Sequence, residues 1–191
     1  MLTLYFAPGS SSMAAHIALH EIGVPFDPRA LSLARAETRQ PAFLAINPEG
    51  KVPLLVDGDL VLTEVAAILF HLARRHPEAA LLPADEAGQA RAISWMSFVA
   101  STLHPARRQG QAHAEQVYDL ADRRLGPGWA LGSYSIADIH LFRLFWRFAG
   151  SLGVAPGRFP NLEAHRARML ARPAVQRTIE IESAIGYELP A

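Results

Sequence analysis

The sequence of 191 residues contains no cysteine. A chain without thiols forms no disulfide bond, offers no thiolate to a metal ion and cannot perform thiol exchange with its own side chains. It also lacks a charge excess, since 18 Lys and Arg residues balance 18 Asp and Glu residues. A chain of zero net charge has no overall electrostatic attraction to nucleic acid or to an anionic membrane, so we expect neither as a partner.

Long apolar runs and an N-terminal targeting pattern are missing as well. The apolar stretches fall short of the roughly 20 residues that cross a bilayer. The opening residues MLTLYFAPGS have no basic segment ahead of an apolar one, so we expect no secretory signal and a cytoplasmic location. Half of the residues are hydrophobic, which suffices for a large core and argues against intrinsic disorder.

The first third of the chain alternates between strand and helix patterns. Residues 2–7 predict a strand, and residues 25–33 predict a poorer, proline-containing strand suited to a sheet edge. Between them, residues 11–23 predict a helix that ends at a glycine. Residues 52–62 predict a hairpin, and a helix capped by Thr63 follows it. This order indicates a thioredoxin-like α/β domain.

Beyond this domain the strand patterns vanish. A proline-punctuated linker precedes five segments with helical spacing of apolar residues. We therefore predict a thioredoxin-like domain over 1–76, a linker over 77–86 and an all-helical domain over 87–191. In the helical part, Ser135 and Asp138 have the spacing of a capping box with Asp in place of Glu, and we interpret this motif as structural.

Three serines, Ser10, Ser11 and Ser12, stand where the first strand passes into the first helix. A thioredoxin-like sheet usually presents a thiol here, where the helix N-terminus stabilises the thiolate. Hydroxyls at this place allow three interpretations: stabilisation of a thiolate borrowed from a cofactor such as glutathione, capping of the helix alone, or a nucleophilic serine. The third is disfavoured because GSSSM lacks the second glycine of the G-x-S-x-G elbow.

Hydrogen bonding is strong enough for the first interpretation. A free thiol has a pKa of about 8.5, and lowering it by two units requires about 2.7 kcal/mol. One or two hydrogen bonds to a charged group, at roughly 1.5–3 kcal/mol each, supply that free energy.

The motifs LYFAPGSSSMAAHIAL, FLAINPEGKVPLLV with LTEVAAI, and SIADIHLF resemble, in this order, the soluble glutathione transferases and particularly their bacterial beta-like branch. The resemblance spans nearly the whole chain. It implies an enzyme that holds glutathione on the α/β domain and directs its thiolate at a small, partly apolar electrophile lying against the helical domain. It also implies a homodimer, with glutathione as co-substrate and no metal.

The resemblance ranks the candidates for thiol activation. Ser11 falls where beta enzymes carry a cysteine that can form a mixed disulfide with glutathione, so hydrogen bonding takes the place of that chemistry. Ser10 is the neighbouring candidate. Tyr5 is the rival, because other classes place an activating tyrosine at the end of the first strand; a half-buried structural tyrosine is the alternative.

The resemblance also assigns glutathione-binding positions. Val52 and Pro53 correspond to the family's cis-proline site, where the main chain of Val52 pairs with the cysteinyl unit. Glu64 and Val65 open a helix whose N-terminus suits the γ-glutamyl carboxylate. The family often has serine or glycine where this chain has Val65, so a hydroxyl contact is lost there.

Several cationic residues carry weaker assignments. Lys51 and Arg35 are candidates for the glycyl carboxylate, and each is equally well explained as a solvated charge. His104 matches a beta-class histidine that faces the electrophile, with a helix-end histidine as the alternative. His16 and His20 lie one helical turn apart, but no third ligand is apparent, so we expect no metal site.

Two other functions stay open. A glutathione-dependent peroxidase or disulfide reductase would turn over hydroperoxides or mixed disulfides with little conjugation. A non-catalytic protein that keeps the fold would fail to bind glutathione while folded.

Overall fold

The computed structural model describes residues 1–151 and 154–188, and it forms two compact units. Unit 1 holds residues 1–72 and the C-terminal segment that begins at Pro173, and unit 2 holds Ala73–Arg172. Within the described residues, no helix combines the length and the apolar character needed to cross a membrane.

The predicted domain boundaries stay predictions. The last helix of the predicted 87–191 domain groups with unit 1, where it packs on the first helix. Residues 152–153 and 189–191 of that predicted domain lie outside the described residues.

Unit 1 is built on a four-stranded sheet with the strand order β2-β1-β3-β4. The strands are β1 (Leu2–Phe6), β2 (Phe26–Ala30), β3 (Leu54–Asp57) and β4 (Leu60–Leu62). β1 runs parallel to β2 and antiparallel to β3, and β3 pairs antiparallel with β4. The predicted edge strand, the hairpin and the thioredoxin-like class are confirmed.

Eight α-helices lie among the described residues, besides short 3-10 and π-helical turns. They are α1 (Met13–Ile22), α2 (Pro41–Leu44), α3 (Val65–Arg75), α4 (Glu86–Phe98), α5 (Gln111–Leu125), α6 (Ile136–Ser151), α7 (Pro160–Leu170) and α8 (Pro173–Ile185). α1 ends at Gly23, whose φ of 77° lies in the left-handed region that glycine adopts without steric cost. Helices alone make up the regular structure of unit 2 in its described part, which confirms the all-helical prediction.

The alternation of β1 decides which side chains face the unit's core. Leu2, Leu4 and Phe6 are buried, whereas Thr3 and Tyr5 on the other face are half-buried. This pattern is the one expected for a strand with period two. It places Tyr5 on the face of the sheet opposite the buried row.

The start of α3 differs from the prediction by one residue. Thr63 was expected to cap a helix beginning at Glu64, but the helix begins at Val65. Glu64 has a φ of 66°, which lies in the left-handed region and stops it from being part of the helix. Its carbonyl accepts the N–H of Ile68 at 3.0 Å, so Glu64 occupies the capping position itself.

Unit 2 packs around the aromatic residues of α5 and α6. Tyr118 of α5 stacks on Phe148 of α6 with ring centroids 3.8 Å apart, and its hydroxyl donates to the Leu144 carbonyl at 3.2 Å. Phe145 and Phe159 lie against the same pair. α6 is buried along most of its length, and apolar residues occur on nearly all of its sides.

Burial of His140 on α6 is expected to make the fold acid-sensitive. Burial, aided by His104 and Arg143, lowers the pKa of His140 to about 3. The unfolded chain therefore takes up a proton below about pH 6.5 while the folded chain does not, so stability falls as the pH drops towards 3. At pH 5 the loss due to this group is about 2 kcal/mol, from 1.5 pKa units. Urea unfolding at pH 7 and pH 5 measures it.

The His140→Gln variant supplies the control for that measurement, because it removes the titrating group from the same site. Its stability should fall less than that of the wild type between the two pH values. An equal fall in both proteins would show that His140 does not contribute.

Candidate functional site

Ser12 ties the end of β1 to the start of α1. Its side chain is fully buried. The hydroxyl donates to the Ala7 carbonyl at 3.1 Å and accepts the Ala7 N–H at 3.1 Å. Ser12 precedes α1, yet it makes no side-chain capping bond to that helix. Its hydroxyl is therefore a structural bridge within the junction.

Ser10 is committed to the same junction. Only 7% of the residue is exposed, and its Oγ lies 2.6 Å from Ser12 Oγ. Because Ser12 Oγ already donates to Ala7, Ser10 is the donor in this pair. Ser10 Oγ also accepts the Ser12 N–H at 3.2 Å. Both the proton and a lone pair of this hydroxyl are thus in use.

Ser11 differs from its two neighbours. It is half-buried, and its Oγ donates to the Val52 carbonyl over 3.4 Å. Hydroxyl hydrogen bonds usually span about 2.5–3.0 Å, so this one is long and weak. Of the three serines, Ser11 alone presents a hydroxyl that is both partly accessible and loosely held.

The different hydrogen bonds of the three serines predict how Ser12→Ala changes the stability of the protein. Removing this hydroxyl leaves the buried Ala7 N–H without its acceptor, whereas the Ala7 carbonyl keeps the Ser10 N–H at 3.0 Å. Leaving one buried donor unsatisfied costs about 1–3 kcal/mol. We expect the free energy of unfolding, measured in urea, to fall by that amount. Ser11→Ala should leave the unfolding free energy unchanged within about 0.5 kcal/mol. Equal stability losses in the two variants would contradict this assignment.

The loop before β3 places Val52 beside Ser11. The Val52–Pro53 peptide bond is cis, as the family resemblance implies. The buried Asn47 holds this loop, since its Nδ2 donates to the Lys51 carbonyl at 2.8 Å. Asn47 was not singled out from the sequence, where nothing distinguishes it from an ordinary turn asparagine.

Glu64 and Val65 lie at the N-terminus of α3, as predicted. The first turn of a helix directs N–H groups outward without helical partners, which favours an anion at that end. Glu64 is exposed and held at positive φ, a conformation that costs a non-glycine residue on the order of 1–3 kcal/mol. Such strain occurs preferentially at functional positions.

Tyr5 belongs to a different neighbourhood of unit 1. Its ring contacts Phe43 of α2 edge-on, with centroids 5.6 Å apart. Together with Leu31 and Ile46 it lines a mainly apolar cavity of about 300 Å³. These contacts involve the ring of Tyr5, so the choice between an activating and a structural tyrosine stays a prediction.

The two predicted carboxylate-binding cations lie on the surface and have acidic neighbours. Lys51 Nζ lies 3.4 Å from a Glu49 carboxylate oxygen, and Arg35 Nε lies 3.0 Å from Glu37. Exposed pairs of this kind contribute little to stability, so either cation is free to exchange its partner for a ligand carboxylate.

His104 lies in unit 2, directly after the π-helical turn Val99–Leu103 that extends α4. Its main-chain N–H donates to the Val99 carbonyl at 2.9 Å. Desolvation, with the nearby Arg143 and Arg108 adding to it, lowers the pKa of His104. The imidazole is therefore neutral at neutral pH and offers a nitrogen lone pair.

The predicted pair of His16 and His20 on α1 is stacked, with ring centroids 4.9 Å apart. His16 Nδ1 lies 2.9 Å from Glu182 of α8. Burial and the neighbouring His16 and Arg177 lower the pKa of His20 to about 4. No group of three or more potential metal ligands occurs among the residues that the structure describes.

One hydrogen bond within unit 1 was not predicted from the sequence. The Gly9 N–H, in the loop that carries the serines, donates to Glu182 Oε2 at 2.7 Å. The two residues are 173 positions apart. A glutamate in an amphipathic helix is ordinarily a surface residue, so the local pattern of α8 contains no signal for this contact.

Comparisons with known proteins identify the class to which this thioredoxin-like sheet and the helical unit belong. A family model described as "Glutathione S-transferase, N-terminal domain" matches residues 1–74. Glutathione S-transferase GST-4.5 of Xanthomonas campestris pv. campestris is 32% identical over 206 residues, covering 95% of this chain and 98% of the relative.

Solved structures agree with these sequence matches. A glutathione transferase homologue from Sulfitobacter with bound glutathione has a TM-score of 0.82 at 33% identity and covers 95% of this chain and 98% of its own. The beta-class enzyme of Sphingomonas chungbukensis has a TM-score of 0.81 at 35% identity, with coverage of 94% and 98%. The chain belongs to the glutathione S-transferase family, and these relatives are bacterial.

Proposed function

We propose that this protein binds glutathione on unit 1 and activates its thiol through the Ser11 hydroxyl, for attack on a small, partly apolar electrophile. The observation that carries this proposal is the state of Ser11, whose hydroxyl is accessible and held only weakly by Val52. The hydroxyls of Ser10 and Ser12 are engaged in hydrogen bonds within the junction between β1 and α1. The Tyr5 ring packs against Phe43 and lines an apolar cavity whose lining includes none of the three serines.

The weak bond to Val52 suggests how binding frees the activating hydroxyl. A cysteinyl unit that pairs its main chain with the Val52 carbonyl competes for the acceptor that Ser11 now uses at 3.4 Å. The displaced Ser11 proton then turns to the adjacent sulfur. A hydroxyl that donates to a thiolate stabilises the charged form and lowers the thiol pKa.

The other parts of glutathione are assigned to groups of unit 1. Val52 and Pro53 take the cysteinyl unit, and the N–H groups after Glu64 and Val65 take the γ-glutamyl carboxylate. Lys51 or Arg35 takes the glycyl carboxylate by exchanging its present acidic partner. The support is the position of each group in unit 1 and the glutathione bound to the Sulfitobacter homologue.

His104 is our candidate for the electrophile site, with the neutral imidazole as a hydrogen-bonding group. The homodimer implied by the family also stays a proposal, and light scattering on the purified protein measures the oligomeric state.

The test is the ultraviolet absorbance of the thiolate of bound glutathione as a function of pH, followed by conjugation of an aryl halide. We expect a thiol pKa about two units below the free value of about 8.5, together with conjugate formation. Binding without a pKa shift contradicts activation by Ser11. Turnover of a hydroperoxide or a mixed disulfide with little conjugation favours the peroxidase or reductase alternative, and failure of the folded protein to bind glutathione favours the non-catalytic one.

A further inference from the structure

The carboxylate of Glu182 on α8 connects two parts of unit 1. One oxygen accepts the Gly9 N–H at 2.7 Å, and the other lies 2.9 Å from His16 Nδ1. Glu182 and His16 are both fully buried. Gly9 is two residues before Ser11, so α8 is attached directly to the loop that presents the proposed activating hydroxyl.

A second contact from the same end of the chain covers the loop. A Cβ atom placed on Gly9 would lie 2.8 Å from Tyr187 Cδ1, which shows how closely the ring approaches the glycine. Gly9 has a φ of 71°, a conformation that side chains oppose. The carboxylate of Glu182 and the ring of Tyr187 therefore both act on the same residue.

Packing alone does not explain a carboxylate in this place. Removing an ionised carboxylate from water costs several kcal/mol unless partners compensate, and an apolar residue would fill the space at lower cost. What the carboxylate adds is direction, because two short hydrogen bonds fix the Gly9 peptide relative to α1 and α8. The orientation of that peptide sets where the following serines lie.

We propose that Glu182 is a positioning residue for thiol activation, holding the Gly9 peptide so that Ser11 Oγ stays beside Val52. This inference rests on the proposed function of Ser11. The weak 3.4 Å contact between Ser11 and Val52 does not hold the loop in place by itself. Positioning matters because a displacement of about 1 Å in a reacting group can cost on the order of 100-fold in rate.

The test compares two substitutions of Glu182 through the thiol pKa of bound glutathione. Glu182→Ala leaves the Gly9 N–H without its acceptor, and we expect this pKa to rise by about one unit. That rise corresponds to a tenfold loss of thiolate below the pKa, with a similar fall in kcat/KM. Glu182→Gln keeps an oxygen for the Gly9 N–H and should retain a thiol pKa near that of the wild type.

The matched control is Glu180→Ala. Glu180 lies on the same helix, but it is exposed and its carboxylate pairs with Arg177 at the surface. It should retain the wild-type thiol pKa and kcat/KM. If Glu182→Ala does not fold, Tyr187→Ala tests the same loop, because Tyr187 is 41% exposed and its truncation spares the core. We expect a smaller rise in the thiol pKa there.

Three outcomes overturn the inference. A folded Glu182→Ala or Tyr187→Ala protein with a wild-type thiol pKa shows that the contact is only structural. A Glu182→Gln protein as impaired as Glu182→Ala shows that hydrogen-bond geometry is not the cause. A wild-type protein that binds glutathione without lowering its pKa removes both this inference and the proposed function, whereas the first two outcomes leave the proposed function intact.

Discussion

Replacing Ser11 with alanine is expected to return the thiol pKa of bound glutathione to about 8.5. The variant loses a hydrogen bond to a charged sulfur, worth about 1.5–3 kcal/mol, so kcat/KM at neutral pH should fall about 10- to 100-fold. Because Ser11 is half-buried and holds Val52 only over 3.4 Å, the unfolding free energy should hardly change. The ultraviolet thiolate titration and steady-state conjugation measure the two effects.

Matched hydroxyl deletions make this result specific. Tyr5→Phe should retain the low thiol pKa, because the proposed activating hydroxyl is that of Ser11. The substitution removes only the Tyr5 hydroxyl and leaves the packing of the ring on Phe43 intact. Ser11→Thr keeps a hydroxyl and should recover part of the lost activity. If Tyr5→Phe alone raises the thiol pKa, the activator lies on β1 and Ser11 has no catalytic role.

Ser10→Ala is the harder control to interpret, because Ser10 supports Ser12 within the junction. We expect a loss of stability together with a modest rise in the thiol pKa, both smaller than the principal effects of Ser12→Ala and Ser11→Ala. A thiol pKa as high as that of Ser11→Ala would instead make Ser10 the activating group.

The fold was predictable because short-range patterns determine it. The alternating apolar residues of β1 and the glycine that ends α1 are signals that depend only on neighbours a few positions away. The hairpin of β3 and β4 is marked by the DGD turn, which contains Gly58 at a φ of 62°. Each of these elements therefore carries its own signal in the sequence.

The candidate site was predictable as a region but not in its details. Sequence placed three serines at one junction, yet their roles depend on whether each hydroxyl turns towards Ala7, Ser12 or Val52. Neither composition nor spacing encodes those directions. The left-handed φ of Glu64 is equally invisible, because glutamate rarely adopts it without tertiary support.

Long-range contacts were missed for a further reason. Glu182 meets Gly9 only because α8 returns to α1 after the whole of unit 2 has intervened in the chain. The capping box of α6 was found, by contrast, because Ser135 and Asp138 are three residues apart. Its complete set of contacts extends to His165, which sequence did not connect with it.

Loss of the Asp138 side chain should strongly destabilise unit 2. Its buried carboxylate accepts the Ser135 N–H and hydroxyl at 2.9 Å each through Oδ2. Oδ1 accepts the Ala130 N–H at 2.8 Å and lies 3.1 Å from His165 Nε2. The Asp138 carboxylate thus binds the start of α6, the preceding loop and one ring nitrogen of a fully buried histidine of α7.

Asp138→Ala is expected to lower the unfolding free energy by about 3–5 kcal/mol, because a broken buried polar network leaves several partners unsatisfied. This is a large part of the total stability of about 5–15 kcal/mol typical of a protein. Urea unfolding at pH 7 measures the change. Asp138→Asn keeps one carbonyl acceptor and should lose less.

Asp119→Asn supplies the matched surface control in the same unit. Asp119 pairs with Arg123 and Arg158 at the surface, where ion pairs contribute about 0–1 kcal/mol. A loss in Asp138→Ala no larger than in this control would mean that the buried box does not hold α6. Ser11→Ala and Asp138→Ala therefore test two separate properties of the chain. The Ser11 hydroxyl in unit 1 is expected to control the thiol pKa with little effect on stability. The Asp138 carboxylate in unit 2 is expected to control stability.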